Sequence, residues 1–437
     1  MVYKKKSIQA LRGMKDILAK DWLYYDYILS NTKKIFEFYG FQRIETPILE
    51  KAELFIKGIG KETDIADKEM YILRTKENKE LLALRPEGTA SVVRAYIEKG
   101  MSNLPQPVKL YYFGPFFRHE KPQAGRYRQF YQLGAEIIGE NSSSADVEII
   151  IASKVFLESL GFKQKNICLS LNSIGCSECR PVYIKELKKY YKQYTMQICA
   201  DCRRRIKENP LRVLDCKNEK CLSIKNGAPT FLDCLCLECH SHFKDILELL
   251  DYLSISYILD KTLVRGFDYY TKTVFEFSLG NEIKRIALAG GGRYDKLVES
   301  LGGTHKAAVG VAFGVERLIN ELVKKGKELV LPKPKIFLVQ IGDAAKKQSF
   351  KFLEQFRKEN IFLGESLGKE SLRAQLTAAD KLNVDYVLIL GQEEVLNGMI
   401  ILKDMNSGLQ ESIPLEKIID EVKKRFKKQK TKNNLTI

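Results

Sequence analysis

The sequence predicts an α+β fold: an antiparallel sheet core, a local cysteine-rich module and a small α/β domain toward the C-terminal end. Three observations carry that expectation. Two strand-like runs, 108–118 and 129–138, flank a loop rich in Pro, Gly, Arg and Gln, the pattern of an antiparallel pair. All ten cysteines fall between Cys168 and Cys239. After "LPKPK" at 331–335 the pattern changes to strand and helix signals in alternation, as in a domain with a mixed sheet.

At 437 residues the chain exceeds one compact core, so two or three domains are expected. No run of about 18 apolar residues occurs, which argues against a membrane span. The start, "MVYKKKSIQALRGMKDILAKD", is basic but lacks the apolar stretch of a secretory signal, and acidic residues soon follow, against a transit peptide. A cytosolic location is expected. The formal charge of +17, from 72 basic and 55 acidic side chains, points to polyanionic partners: nucleic acid, phosphate-rich ligands or an anionic membrane. Part of the excess lies in "KKRFKKQKTKNN", which reads as a solvated helix end.

From 18 to 39, Leu18, Trp22, Tyr25, Leu29, Thr32, Phe36 and Tyr39 recur at helical spacing, and Gly40 follows where a cap belongs. "FQRIETPILE" alternates as a strand, with Pro47 marking an edge or an interruption because proline cannot donate to a ladder. "LLALRPEGTASVVRAYI" reads as strand, turn and helix. In the run 129–138, Tyr131, Leu133, Ala135 and Ile137 make an apolar face, while Phe130, Gln132, Gly134 and Glu136 point the other way. Tyr112, Gly114, Phe116 and Arg118 share one face of the preceding run. A face with arginine, glutamine, glutamate, glycines and aromatics looks like a ligand floor, since glycines weaken a strand unless something must come close.

The cysteines are grouped as "CSEC", "CADC", "CKNEKC" and "CLCLEC", the last followed by His240 and His242. The first two pairs, Cys176 with Cys179 and Cys199 with Cys202, match a four-thiolate zinc pattern, because each tight turn aims two thiolates at one ion. The competing reading makes them buried free thiols that serve as small hydrophobes. Further on, "LVRGFDYYTKTVFEF" places Arg265, Gly266, Tyr269 and Tyr270 just before a strand. Arginine offers a permanently charged fork for carboxylate or phosphate, and the tyrosines offer flat walls with orienting hydroxyls. In "ALAGGGRYDKLVESLG" three glycines precede a helix, so close backbone approach and helix-start amides are expected, with a flexible loop as the alternative. "AAVGVAFGVERLINELV" carries a helical stripe of Val315, Leu318, Ile319, Leu322 and Val323, from which Arg317 stands apart.

In this order the segments resemble the class II aminoacyl-tRNA synthetases, specifically the histidine-tRNA ligases, along nearly the whole chain. The helix with "ETPILE", then "FGPFFRHEKPQAGRYRQFYQLGAEIIG", then "AVGVAFGVERL" are similar to the three general class II motifs. "RGFDYY" and "AGGGRYD" match segments peculiar to the histidine enzymes within that class. The resemblance implies a catalytic core at 1–168 and 255–330, a mostly helical insertion at 169–254, and an anticodon-binding domain at 331–437. It implies a cytoplasmic homodimer that joins L-histidine to tRNA(His) with ATP and Mg2+, through an adenylate.

The same resemblance distributes roles. Arg118 and Arg317 would grip ATP phosphates, Phe130 would stack on adenine, and Glu120 and Arg126 would complete the nucleotide site. Glu87, Gly88, Thr89, Gln132, Glu136, Tyr269 and Tyr270 would surround histidine. Arg265 would stabilise the charge that develops as the histidine carboxylate attacks the α-phosphorus. Gln123 and Arg126 would meet the acceptor end of the tRNA. Zinc is not implied by the family and rests on cysteine spacing alone. Two other readings compete: a silent paralogue acting as regulatory subunit of ATP phosphoribosyltransferase, and a nucleic-acid-binding protein suggested by charge. The first expects the tyrosine segment and the C-terminal domain to be lost; the second gives no reason for polar and apolar faces to segregate around Arg118, Gln132 and Glu136.

Overall fold

The computed structural model describes residues 8–60, 63, 65–75, 80–121, 125–281, 284–366 and 368–433. The chain divides into two compact units, Met1–Leu329 and Val330–Ile437. The first is built on an eight-stranded sheet in the order Gln42–Arg43, Val108–Phe117, Gln129–Ile138, Ala308–Gly314, Lys284–Arg293, Thr271–Asn281, Ile167–Ser173 and Ile258–Leu259. Only the two short edge strands pair in parallel; the rest is antiparallel.

The alternation of residues 129–138 has the expected consequence. Leu133, Ala135 and Ile137 enter the main core beside Phe275, Phe277, Val309 and Val311, with Tyr131 packed at its margin. Helices Ala19–Phe38, Ser143–Ser159 and Val315–Lys324 cover that face with Ile28, Phe36, Ile149, Phe156 and Leu318. The opposite face is left for a site.

Helix Ala19–Phe38 buries Tyr25, Ile28, Thr32 and Phe36, while Leu18 and Trp22 are exposed, so the buried stripe begins a turn later than its spacing suggests. Gly40, at φ +80°, ends it. "FQRIETPILE" is interrupted around Pro47: Gln42–Arg43 joins the large sheet, and Leu49–Lys51 joins a three-stranded sheet with Leu81–Leu84 and Ile72–Arg74. Turn 85–88 then leads into helix Thr89–Glu98.

Two expectations fail. Gly290, Gly291 and Gly292 lie inside strand Lys284–Arg293, and the helix beyond them, Leu297–Ser300, has only four residues, so they present no helix start. The reason is steric: the Arg265 guanidinium occupies the space a Cβ at Gly290 would need, and the Phe275 ring does the same at Gly291. In helix Val315–Lys324, Val315, Leu318 and Leu322 are buried but Val323 is exposed. Ala308–Gly314, whose glycines blur its alternation, is the strand at the middle of the sheet.

The cysteine-rich segment is helical, with Cys179–Lys192, Ala200–Glu208 and Glu219–Asn226 enclosing Tyr183, Tyr191, Val213, Leu214 and Phe231. The following helix, Leu237–Tyr252, returns to the main core through Phe243, Ile246 and Leu250.

The second unit has a five-stranded mixed sheet in the order Leu363–Glu365, Ile336–Gln340, Tyr386–Leu390, Met399–Asp404 and Gln410–Pro414. Helices Asp343–Lys358, Leu372–Leu382 and Ile418–Asn433 accompany it. Among the described residues no helix is long and apolar enough to cross a membrane.

Candidate active site

The site grows from the turn after strand Leu81–Leu84. Buried Arg85 donates from Nη1 to the Thr46 carbonyl over 2.6 Å and from Nε to the Pro115 carbonyl over 2.9 Å, which pins the turn to two neighbouring segments. Buried Glu87 then accepts from the backbone N–H groups of Thr89 at 2.7 Å and Ala90 at 2.8 Å, capping helix Thr89–Glu98. Burial raises its pKa above the usual carboxylate range.

Glu136, from the middle of the sheet, lies next to this turn. Thr89 Oγ1 donates to Glu136 Oε1 over 2.8 Å, and the Tyr294 hydroxyl donates to Oε2 over 2.6 Å. Burial pushes the Glu136 carboxyl up to about 8 against those two hydrogen bonds, and the neighbouring charge of Glu87 adds to the rise. An aromatic wall closes this end: the Tyr269 ring lies 4.6 Å from that of Tyr270, 5.2 Å from Phe267 and 5.7 Å from Tyr294. Burial raises the hydroxyl pKa of both Tyr269 and Tyr270, so they are neutral donors.

The other end is basic. Arg118 donates from Nε to the Pro86 carbonyl over 2.8 Å, and its guanidinium sits 5.4 Å from the centre of the Phe130 ring and 5.7 Å from Phe267. Glu120 lies 3.1 Å from Arg126 and 3.8 Å from Arg118. Arg317 reaches the Ala287 carbonyl at 3.0 Å, and Arg265 reaches Glu276 at 3.1 Å. Burial lowers the pKa of Arg317, as does the charge of Arg126, yet a guanidinium keeps its charge at any pH of interest.

Most of these groups face one pocket, with Arg85 outside its lining. Its walls include Glu87, Gly88, Thr89, Arg118, Glu120, Arg126, Phe130, Gln132, Arg265, Tyr269, Tyr270 and Arg317, with Glu136 behind Thr89 and Tyr294. Gln123 lies outside the described residues. Gln132 Oε1 and Arg265 Nε are buried in these walls without a partner among the described residues, which is the condition of polar atoms that await a ligand. A carboxylate and hydroxyl end beside a guanidinium end suits an amine-bearing ligand next to a polyphosphate.

Arg85, Glu276 and Tyr294 were not singled out by the sequence. Arg85 could have been, as a charged residue that ends an apolar run at a turn. Glu276 gives no signal without the crossing of Arg265 over Gly290, a non-local contact.

The expected cysteine grouping is corrected. Cys176 and Cys179 converge with Cys236 and Cys239, whereas Cys199 and Cys202 converge with Cys216 and Cys221. The first two pairs are carried apart by helix Cys179–Lys192, whose 14 residues span roughly 20 Å at 1.5 Å per residue.

A family model described as histidyl-tRNA synthetase matches residues 13–189 and 219–318, and one described as anticodon binding domain matches 335–425. A histidine–tRNA ligase of Acetivibrio thermocellus is 44% identical over 418 residues, covering 95% of this chain and 99% of that protein. One from Desulforamulus reducens is 41% identical over 415 residues, covering 95% and 98%. Among solved structures, apo histidyl-tRNA synthetase of S. aureus superposes with a TM-score of 0.76 at 33% identity, covering 95% of this chain and 99% of that one.

Proposed function

The chain belongs to the histidyl-tRNA synthetase family, and from that premise we propose how its pocket divides the work. The reaction is the ATP-dependent ligation of L-histidine to tRNA through a histidyl-adenylate, with release of pyrophosphate and AMP. One observation supports the assignment most: Arg118, Arg265 and Arg317, from three separate segments, line a single pocket whose opposite end holds Glu87, Thr89, Gln132 and the aromatic wall.

Histidine enters with its ammonium toward Glu87, Gly88, Thr89 and Gln132 and its imidazole toward Glu136, Tyr269 and Tyr270. Its carboxylate is left facing the arginines. ATP lies with adenine on Phe130 and its phosphates between Arg118 and Arg317, with Glu120 and Arg126 at the rim. A carboxylate oxygen attacks the α-phosphorus, the bond to the β-phosphate breaks, and pyrophosphate departs. Arg265 stabilises the negative charge on the α-phosphoryl oxygens as they pass through the transition state. A terminal ribose hydroxyl of tRNA, guided by Gln123 and Arg126, then attacks the acyl carbon and AMP leaves. Positioning and charge neutralisation supply most of the rate in both steps. Glu120 and Glu276, which stand among the arginines, would be the carboxylates to hold magnesium brought with the nucleotide, whose charge would neutralise phosphate oxygens.

The enzyme acts in the cytoplasm as a homodimer. Leu49 and Leu73 on one face of the small sheet, and Ile72 and Leu81 on the other, are each more than two-fifths exposed, which supports a partner chain against that sheet. The unit 330–437 engages the anticodon. Tyr269, Tyr270 and this unit weigh against the regulatory paralogue, a reading that expects the tyrosine segment and the C-terminal domain to be lost. Pyrophosphate exchange with each of the twenty amino acids tests the assignment: exchange with histidine alone is expected, and exchange with a different amino acid instead would reject it.

A further inference from the structure

The family reaction uses none of the ten cysteines, yet eight of them form two sets in which four Sγ atoms lie within 4.8 Å of one another. We propose that each set is a structural zinc site, one formed by Cys176, Cys179, Cys236 and Cys239 and the other by Cys199, Cys202, Cys216 and Cys221.

The geometry fits the ion. A tetrahedron with Zn–S bonds of about 2.3 Å has sulfur–sulfur edges of about 3.8 Å. The edges seen are 3.7 Å for Cys176–Cys179, 3.9 Å for Cys176–Cys236 and 3.8 Å for Cys199–Cys216. A disulfide would bring its sulfurs to about 2.05 Å, so these are neither disulfides nor a loose apolar cluster. Thiols buried as small hydrophobes have no reason to direct four sulfurs at a common centre from pairs as far apart in sequence as Cys179 and Cys236.

Backbone N–H groups donate to sulfur in both sets: Glu178 to Cys176 at 3.4 Å and Cys236 to Cys179 at 3.1 Å in the first. In the second, Cys202 donates to Cys199 at 3.4 Å, Asn218 to Cys216 at 3.4 Å and Cys199 to Cys221 at 3.3 Å. Such donors hold the ligands in place and stabilise their charge. Both pairs of the first set have the Cys-x-x-Cys spacing, and the second set joins Cys-x-x-Cys to Cys-x4-Cys, spacings within the range for closed sites.

Each ion has a structural task legible from its place. The first closes the base of the cysteine-rich segment, because Cys176 follows strand Ile167–Ser173 and Cys236 and Cys239 open the helix that returns to the main core. Arg180, next to Cys179, donates to the carbonyls of Asp268 and Tyr270, so this clamp also backs the tyrosine wall. The second ties Ala200–Glu208 to Glu219–Asn226 inside the segment; most of its ligands lie in 190–218, which the synthetase family model leaves unmatched.

Metal analysis of the full chain, purified without a metal-affinity step, is the test. Two zinc ions per chain are expected, falling to one in Cys239→Ser and in Cys221→Ser. Because either variant may fold poorly, the wild-type chain is also titrated with an organomercurial in the presence of a zinc-binding dye; release of two zinc ions as eight thiols react is expected. Zinc below roughly 0.2 per chain with freely reactive thiols, stoichiometric iron with sulfide, or loss of thiols to disulfides would each overturn the proposal. A single zinc per chain would overturn the set whose variant leaves it unchanged.

Discussion

The Tyr294 hydroxyl donates to Glu136 Oε2 over 2.6 Å at a carboxyl that is almost wholly enclosed. With its pKa pushed up to about 8, Glu136 holds a proton at pH 7. The ammonium of a bound histidine, already charged in solution and held beside it at Glu87 and Thr89, would drive that proton off to the buffer. Calorimetry at pH 7 in buffers of different ionisation enthalpy should therefore show about one proton released per histidine bound. Glu136→Gln should release almost none and lose roughly 10²-fold or more in histidine affinity, as when a buried charged hydrogen-bond partner is removed. Equal proton release in both proteins would reject the role. The sign for stability follows from the same shift. The folded pKa lies above the unfolded value near 4.5, so the contribution is fully present below about 4.5 and lost as pH rises to about 8. Glu136→Gln should flatten that decline.

Arg265→Ala removes the guanidinium that meets Glu276 at 3.1 Å. Histidine-dependent pyrophosphate exchange should fall by about 10²–10³, the effect of losing one preorganised transition-state contact. The far-ultraviolet circular dichroism and the mass in solution should stay those of the parent. Exchange at the parent rate would sink the assignment.

Gly290→Ala tests the same group without touching it. A Cβ there would occupy the space of the Arg265 guanidinium, so the arginine must leave. Overpacking costs about 1–3 kcal/mol, a modest fall in melting temperature. Adenylate formation should drop at least tenfold. A variant that melts early but keeps full exchange would show that Arg265 need not stay where it is.

Gln123→Ala should separate the two steps. Transfer to tRNA should fall by an order of magnitude or more while exchange changes less than twofold, since the residue stands in sequence between the two long strands and is assigned to the acceptor end. Equal losses in both assays would contradict that assignment.

Periodicity exposed the parts of this fold that depend on local pattern. Leu133, Ala135 and Ile137 fall on the core face as alternation requires, and the C-terminal unit follows its strand and helix signals. Where long-range contacts decide, pattern misled. Three glycines before Arg293 looked like the approach to a helix start or a flexible loop, but they are strand positions emptied so that Arg265 and Phe275 can cross. Neighbouring cysteine pairs looked like one site, but a helix separates them and each finds its partners further along the chain. The candidate pocket was legible because its residues are chemically costly where they stand. Arg118, Gln132 and Glu136 on one sheet face, and Arg265 with two tyrosines ahead of a strand, have no structural excuse.

The strand at the centre of the large sheet, Ala308–Gly314, is the last of its eight to leave the ribosome. Until it emerges, Gln129–Ile138 and Lys284–Arg293 each present an unpaired edge, and the two halves of the substrate pocket belong to separate fragments. A nascent chain stopped short of residue 308 would thus be both inactive and adhesive, and chaperone binding should be most persistent during synthesis of the stretch from 138 to 308.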